Sequence, residues 1–238
     1  MRTAYSAMHM SDGLVNAPTS LVFGAIAIAG LAVCLVRARA DLDERTAPMA
    51  GLVTAFVFAV QMVNFPILPG ASGHLLGGAL VAILVGPWVG AVCLAIVLAV
   101  QALLFADGGL TALGTNITNM ALIGVFAGYG VAVALRAVAR RSRGGLVATA
   151  FVAAFVNTVV ASLGFVLEYA VGGSGGASLG AVFGLMVGLH ALIGIGEGVI
   201  TAATVGAVAA VRPDLVYLLR GSRPVLVRRA APAAGGAA

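Results

Sequence analysis

Lysine is absent: all thirteen basic residues of the chain are arginine. A nucleotide-binding loop of the form G-x-x-x-x-G-K-[ST] depends on its lysine to reach the phosphates, so ATP hydrolysis by that route is excluded. Charge of any kind is scarce, at 9% of 238 residues, where a soluble domain carries about 25%. Aromatic residues make up only 6%. The two cysteines, Cys34 and Cys93, both fall inside apolar runs. That placement reads as small buried thiols, not as a disulfide or a metal pair. The stretch Met1–Asn16 is too polar to supply the apolar core of a cleavable signal peptide. The first apolar run, from Leu21, is therefore expected to be a helix of the mature protein.

What fills the chain is apolar. Hydrophobic residues account for 61% and the mean hydropathy is +1.12, which places the protein in the membrane class. Its 33 glycines suit helices that pack closely in lipid, where van der Waals contact drives association. The length suits one domain. The expected fold is an all-α integral membrane protein, a bundle of about seven transmembrane helices, since a span needs roughly 20 apolar residues. The apolar runs place these helices near Pro18–Val36, Pro48–Val63, Leu75–Val85, Trp88–Phe105, Asn116–Val138, Gly145–Tyr169 and Ala181–Val211. Asp107-Gly108-Gly109 reads as a turn, and Val171–Gly180 as a Gly/Ser loop. The tail from residue 212 to 238 alternates Arg with apolar residues, ends in Ala and Gly, and is expected to be disordered.

The third run is too short to span alone. A Pro/Gly-rich break, Asn64–His74, precedes it. Irregular backbone at membrane depth must be buried in protein or line a cavity, so this break is a site candidate on physical grounds.

The arginines orient the bundle. Arg37, Arg39 and Arg45 follow the first helix, Arg136, Arg140, Arg141 and Arg143 follow the fifth, and Arg212, Arg220, Arg223, Arg228 and Arg229 follow the seventh. With seven helices all of these lie on one side, whereas six would scatter them. The N-terminus is then outside and the C-terminus inside, with only Arg2 on the outer side. The net charge of +5 is accounted for by these helix ends and implies no nucleic-acid partner.

Three histidines could bind metal, imidazole being the commonest metal ligand. His9 precedes the first helix and His74 lies at the outer end of the third, so the two can meet. The alternative is a pair of interfacial histidines bonded to backbone carbonyls. Ser72, in Gly70-Ala71-Ser72-Gly73, and His190 could form the nucleophile and base of an intramembrane serine protease. Glu197 follows His190 by seven residues on one helix face, and an ionisable residue in a membrane is a site hypothesis by default. A polar helix contact would also explain it. The G-x-x-x-G pairs Gly86/Gly90, Gly124/Gly128 and Gly184/Gly188 are explained by close packing.

Met8-His9-Met10-Ser11-Asp12-Gly13 resembles the Met-His-x-x-Asp/Glu-Gly start of the CbiM/NikM family. Asn64–Gly90 and Gln101–Gly124 are similar to that family's central signature, and His190–Thr201 is similar too. The likeness runs from Met8 to Gly206, and the Asn64–Gly124 block is its most specific part. These proteins are the cobalt- and nickel-binding S components of energy-coupling-factor (ECF) transporters of the ABC class. The resemblance implies an N-terminus that dips into the bundle and a metal held by the amino group of Met8, the backbone and ring nitrogens of His9, and His74. Such a four-nitrogen set suits Ni(II) and accepts Co(II). It further implies a membrane-embedded coupling (T) subunit, two ATPase subunits, and a small two-helix membrane subunit, in a bacterial or archaeal cell membrane. No ATP would be bound by this chain. Residues 1–7 precede the expected start. The functional chain is therefore expected to begin at Met8, with residues 8–211 forming the metal-binding domain. A purely structural helical subunit, tolerant of change at all these positions, is the third reading.

Overall fold

The computed structural model describes residues 9–44, 46–69 and 71–220. Met8, the sequence before it and the tail beyond residue 220 lie outside the described residues. Helix α1 (Ala17–Asp41) begins at Asn16, whose side chain accepts a hydrogen bond from the Thr19 amide, as an N-cap should. It is followed by α2 (Thr46–Gln61), the hairpin strands β1 (Asn64–Leu68) and β2 (Ala71–His74), α3 (Gly78–Val85) and α4 (Pro87–Leu104). Next come α5 (Leu113–Ala134), a short α6 (Arg136–Ala139), α7 (Arg143–Gly172) and α8 (Leu179–Val211). Five of these helices, α1, α4, α5, α7 and α8, are long and apolar enough to cross a membrane, and α2 is a shorter apolar helix. The protein is thus an all-α membrane protein carrying one small hairpin.

α3 occupies the centre. All eight of its residues are buried, against α4, α5, α7 and α8. This is how a helix too short to span alone is accommodated: protein, not lipid, surrounds it. The outward faces are apolar, as with Leu21, Ile28 and Leu104, each more than two-thirds exposed. Gly77, at φ +79°, begins α3 in the left-handed region, and a Cβ there would meet Val57 at 2.7 Å. Gly86, at φ +92°, and Pro87 separate α3 from α4. Gly124 and Gly128 pack tightly on Asn157 and Ala79, and Gly90 on Val81, whereas Gly184 and Gly188 face open space. Cys34 and Cys93 are free and buried.

The break at Asn64–His74 is more regular than its composition suggests. It folds into an antiparallel hairpin with Asn64 opposite His74, and a register shift falls between Pro66 and Leu68. Proline has no N–H to give to a ladder and settles at such irregularities. Helix α5 starts three residues earlier than expected, ends at Ala134, and is wound as a π-helix over Ile117–Gly124. Disorder is expected from residue 212 on, but the described part of that tail, up to Arg220, is folded. Pro213–Leu215 and Tyr217–Leu219 form 3-10 turns, and Val216 and Leu218 are fully buried.

The connections gather at two ends. At one, Arg136 donates to the Leu218 and Arg220 carbonyls at 2.9 and 3.0 Å, and Arg220 donates to Thr46 Oγ1 at 2.6 Å. The arginine-bearing connections therefore touch one another. At the other end the chain from His9 to Asn16 is stitched to the turns after α4 and α7. Gly109 N donates to Met10 O at 2.9 Å, Asn16 N to Gly172 O at 2.7 Å, and Ser174 N to Leu14 O at 2.9 Å.

Candidate metal centre

His9 and His74 come together although 65 residues separate them. His9 Nδ1 lies 2.7 Å from His74 Nε2, and both side chains are buried. Each ring's outer nitrogen faces an oxygen: His9 Nε2 is 2.9 Å from Gln101 Oε1, and His74 Nδ1 is 2.9 Å from the Leu75 carbonyl. That is the arrangement of metal-binding histidines, whose second nitrogen is held by a carbonyl or carboxylate. Burial, with His9 alongside and against the pull of the Leu75 carbonyl, holds the His74 imidazole well below its usual value. His74 is therefore neutral, as a ligand must be.

The N-terminal segment that delivers His9 is clasped at its next residue. Met10 N donates to Asn116 Oδ1, and Asn116 Nδ2 donates to Met10 O, both at 3.1 Å. One side-chain amide thus pairs with the backbone as a neighbouring strand would. Asn116 stands at the mouth of the π-helical stretch, a distortion frequent at functional sites. Asp12 Oδ1 accepts from the amide and hydroxyl of Thr111 at 2.7 and 2.5 Å. The Gly108-Gly109 pair supplies the space. Gly108 sits at φ +89° with His9 Cβ 3.2 Å from where its own Cβ would be, and a Cβ on Gly109 would overlap the Asp12 backbone.

The backbone just past His74 is held equally firmly. Glu197 accepts from Leu76 N at 2.7 Å, Gly77 N at 2.9 Å, Thr158 Oγ1 at 3.0 Å and Asn157 Nδ2 at 3.1 Å. Gln61 Nε2 donates to Leu76 O at 2.7 Å. Helices α2, α7 and α8 therefore converge on the turn that carries His74.

His9, Ser72, His74, Asn119, Met186 and His190 share one cavity of about 30 Å³. His190 Nδ1 lies 2.7 Å from its own helix's Met186 carbonyl. His190 and Glu197, one helix face in the sequence, do different jobs: the first faces the cavity and the second holds the turn behind it. Among the described residues no three His, Cys, Asp or Glu side chains come close enough to share one metal ion. His9 and His74 are thus a buried pair of imidazoles in direct contact. Met8 falls outside the described residues.

Residue reasoning missed Gln101, Asn116 and the role of Gly108 and Gly109. The signal for the first two was present: uncharged polar side chains within otherwise apolar helices, each of which must find a partner in lipid. The glycine pair was read only as a turn.

The model of the family described as cobalt uptake substrate-specific transmembrane region, CbiM, matches residues 9–215. A protein of Archaeoglobus fulgidus named as a fused nickel transport protein, NikMN, is 41% identical over 209 residues, 88% of this chain and 68% of that one. The cobalt transport protein CbiM of Sorangium cellulosum is 32% identical over 220 residues, 90% of this chain and 96% of that one. A crystal structure described as a transition metal transporter superposes with a TM-score of 0.80 at 29% identity, covering 90% of this chain and all of the other. The family model covers nearly the whole described chain and the His9–His74 centre falls within it, so the protein belongs to the CbiM family of cobalt uptake substrate-specific transmembrane regions.

Proposed function

We propose that this protein captures Co(II) or Ni(II) on the outer side of a bacterial or archaeal cell membrane and delivers it inward as the substrate-specific subunit of an ECF-type ABC transporter. The observation that carries this reading is the buried meeting of His9 Nδ1 and His74 Nε2 at 2.7 Å. The proposed ligand set is the Met8 amine, the His9 backbone nitrogen, His9 Nδ1 and His74 Nε2. Simple geometry supports the choice of Nδ1: only that ring nitrogen can close a six-membered chelate with the residue's own backbone nitrogen. A free amine at Met8, with an ordinary value of about 8, requires that Met1–Ala7 be missing from the functional chain. N-terminal sequencing of protein made from its native gene tests that requirement directly.

The same reading counts α2 and α3 with the five long helices to give seven, N-terminus outside and C-terminus inside. The mutual contact of the arginine-bearing connections supports it, because such residues collect on the cytoplasmic side. ATP would be spent by two partner ATPase subunits, coupled through a T subunit and assisted by a small two-helix membrane subunit. Uptake of radioactive nickel or cobalt by the assembled transporter tests the proposal. His9→Ala should abolish it and Ser72→Ala should leave it intact. Uptake that survives His9→Ala but fails with Ser72→Ala and His190→Ala would favour the serine protease alternative.

A further inference from the structure

Gln101 lies on α4, wholly buried, with its amide oxygen 2.9 Å from His9 Nε2. Its Nε2 has no hydrogen-bond partner. The proton positions around it can be deduced. The Leu75 carbonyl can only accept, so His74 Nδ1, 2.9 Å away, carries its ring proton and His74 Nε2 presents a lone pair. His9 Nδ1 stands 2.7 Å from that lone pair. Without a metal the contact is attractive only if a proton sits on His9 Nδ1. A neutral His9 then has a bare Nε2, which requires a donor opposite it. With a metal on Nδ1 the situation reverses: the ring proton must be on Nε2, which requires an acceptor opposite it.

A primary amide is an uncharged side chain that can serve both states, because a half-turn about its terminal bond exchanges NH2 for oxygen. The pocket permits either orientation. As placed, the NH2 end is unpaired; turned, the oxygen end would take its place, so neither orientation forfeits a second bond. We propose that Gln101 is a positioning residue that follows and stabilises the tautomer of His9, donating to Nε2 in the metal-free protein and accepting from Nε2–H when metal is bound. On capture the ring proton moves from Nδ1 to Nε2, the amide turns, and the imidazole stays neutral throughout. This rests on His9 Nδ1 being a ligand, as proposed above. It explains why an uncharged amide, and not a carboxylate, stands behind His9. A fixed negative acceptor would hold the metal-bound tautomer permanently and oppose release.

Two measurements test it on purified protein made from its native gene, its first residue established by N-terminal sequencing. The first uses 15N-histidine labelling of the metal-free chain, which has only three histidines, assigned by single replacement. His9 should show a protonated Nδ1 and a bare Nε2; a protonated Nε2 in the metal-free protein would overturn the proposal. The second is Ni(II) titration of wild type, Gln101→Met and Gln101→Glu, each first shown to be folded by thermal unfolding. Loss of the acceptor in Gln101→Met should weaken binding about 10–100-fold, as for other residues that orient ligands, and Gln101→Glu, which restores an acceptor, should recover it. Binding by Gln101→Met within about threefold of wild type, or Glu failing to recover what Met loses, refutes the tautomer role. Wild-type protein that binds no Ni(II) or Co(II) would instead refute the proposed function, while the metal-free tautomer would still be read by the first measurement.

Discussion

Replacing Glu197 by alanine should loosen the metal centre from behind. The carboxylate, on α8, is buried and accepts four hydrogen bonds, two from α7 and two from the turn after His74. Thr158 has a fallback, since its hydroxyl also donates to Ala154 O at 2.9 Å. Among the described residues, the amides of Leu76 and Gly77 bond only to this carboxylate. Each buried donor left unpaired costs about 1–3 kcal/mol. The interhelical bond to Asn157 adds about 0.6 kcal/mol, the average in membrane proteins. Glu197→Ala should therefore destabilise the protein by roughly 3–7 kcal/mol. Glu197→Gln keeps one acceptor oxygen and should lose about half as much. Because the freed amides lie two and three residues beyond His74, Ni(II) affinity should fall about tenfold in the alanine variant. Thermal unfolding in detergent and metal titration of wild type and both variants provide the check. An alanine variant with unchanged unfolding temperature and unchanged affinity would refute the view that α7 and α8 hold the His74 turn through this carboxylate.

Other outcomes follow from the same contacts. Gly109→Ala places a Cβ 2.6 Å from Asp12 Oδ1 and 2.7 Å from the Ser11 carbonyl carbon. It should displace the N-terminal segment and lower metal affinity while leaving the helical content by circular dichroism intact. Metal binding should weaken on acidification. The His74 value is depressed, so its neutral form, and the stability that form contributes, is fully present above about pH 6.5 and is lost as pH falls toward the lowered value. Proton competition at His74 accordingly sets in only below about pH 6.5, after competition at an amine of about 8. Equal Ni(II) affinity at pH 8 and pH 5 would contradict this. A reporter fused after Arg229 should be active only in the cytoplasm, and activity on the outer side would overturn the seven-helix orientation.

Much of this was legible in the residues because lipid imposes a simple rule: long apolar runs are helices. The five long spans were visible in that way, as was the need to bury the short α3. The hairpin was less so. Pro66, Pro69 and the glycines of Asn64–His74 signal a break but not its pairing, which depends on His74 lying opposite Asn64. The π-helical winding of Ile117–Gly124 leaves no periodic trace, because an apolar stretch reads alike at either pitch. The meeting of His9 with His74 could be expected from their common side. Asn116 and Gln101 could not be attached to them, since their partners are a backbone segment and a ring nitrogen about a hundred residues away. The packing of Val216 and Leu218 was hidden by composition: an Arg-punctuated tail looks solvated until Arg136 and Arg140 are seen to hold its carbonyls.

The central claim is that His9 and His74 hold the transported ion. Titration of purified protein with Ni(II) and with Co(II), comparing wild type and His74→Ala, tests it most directly. Wild type should bind one equivalent. Loss of a liganding nitrogen should weaken binding by more than the roughly 10–100-fold typical of supporting residues. Unchanged affinity in His74→Ala would place the site elsewhere in the bundle, with His190, the third imidazole lining the cavity, the next residue to replace.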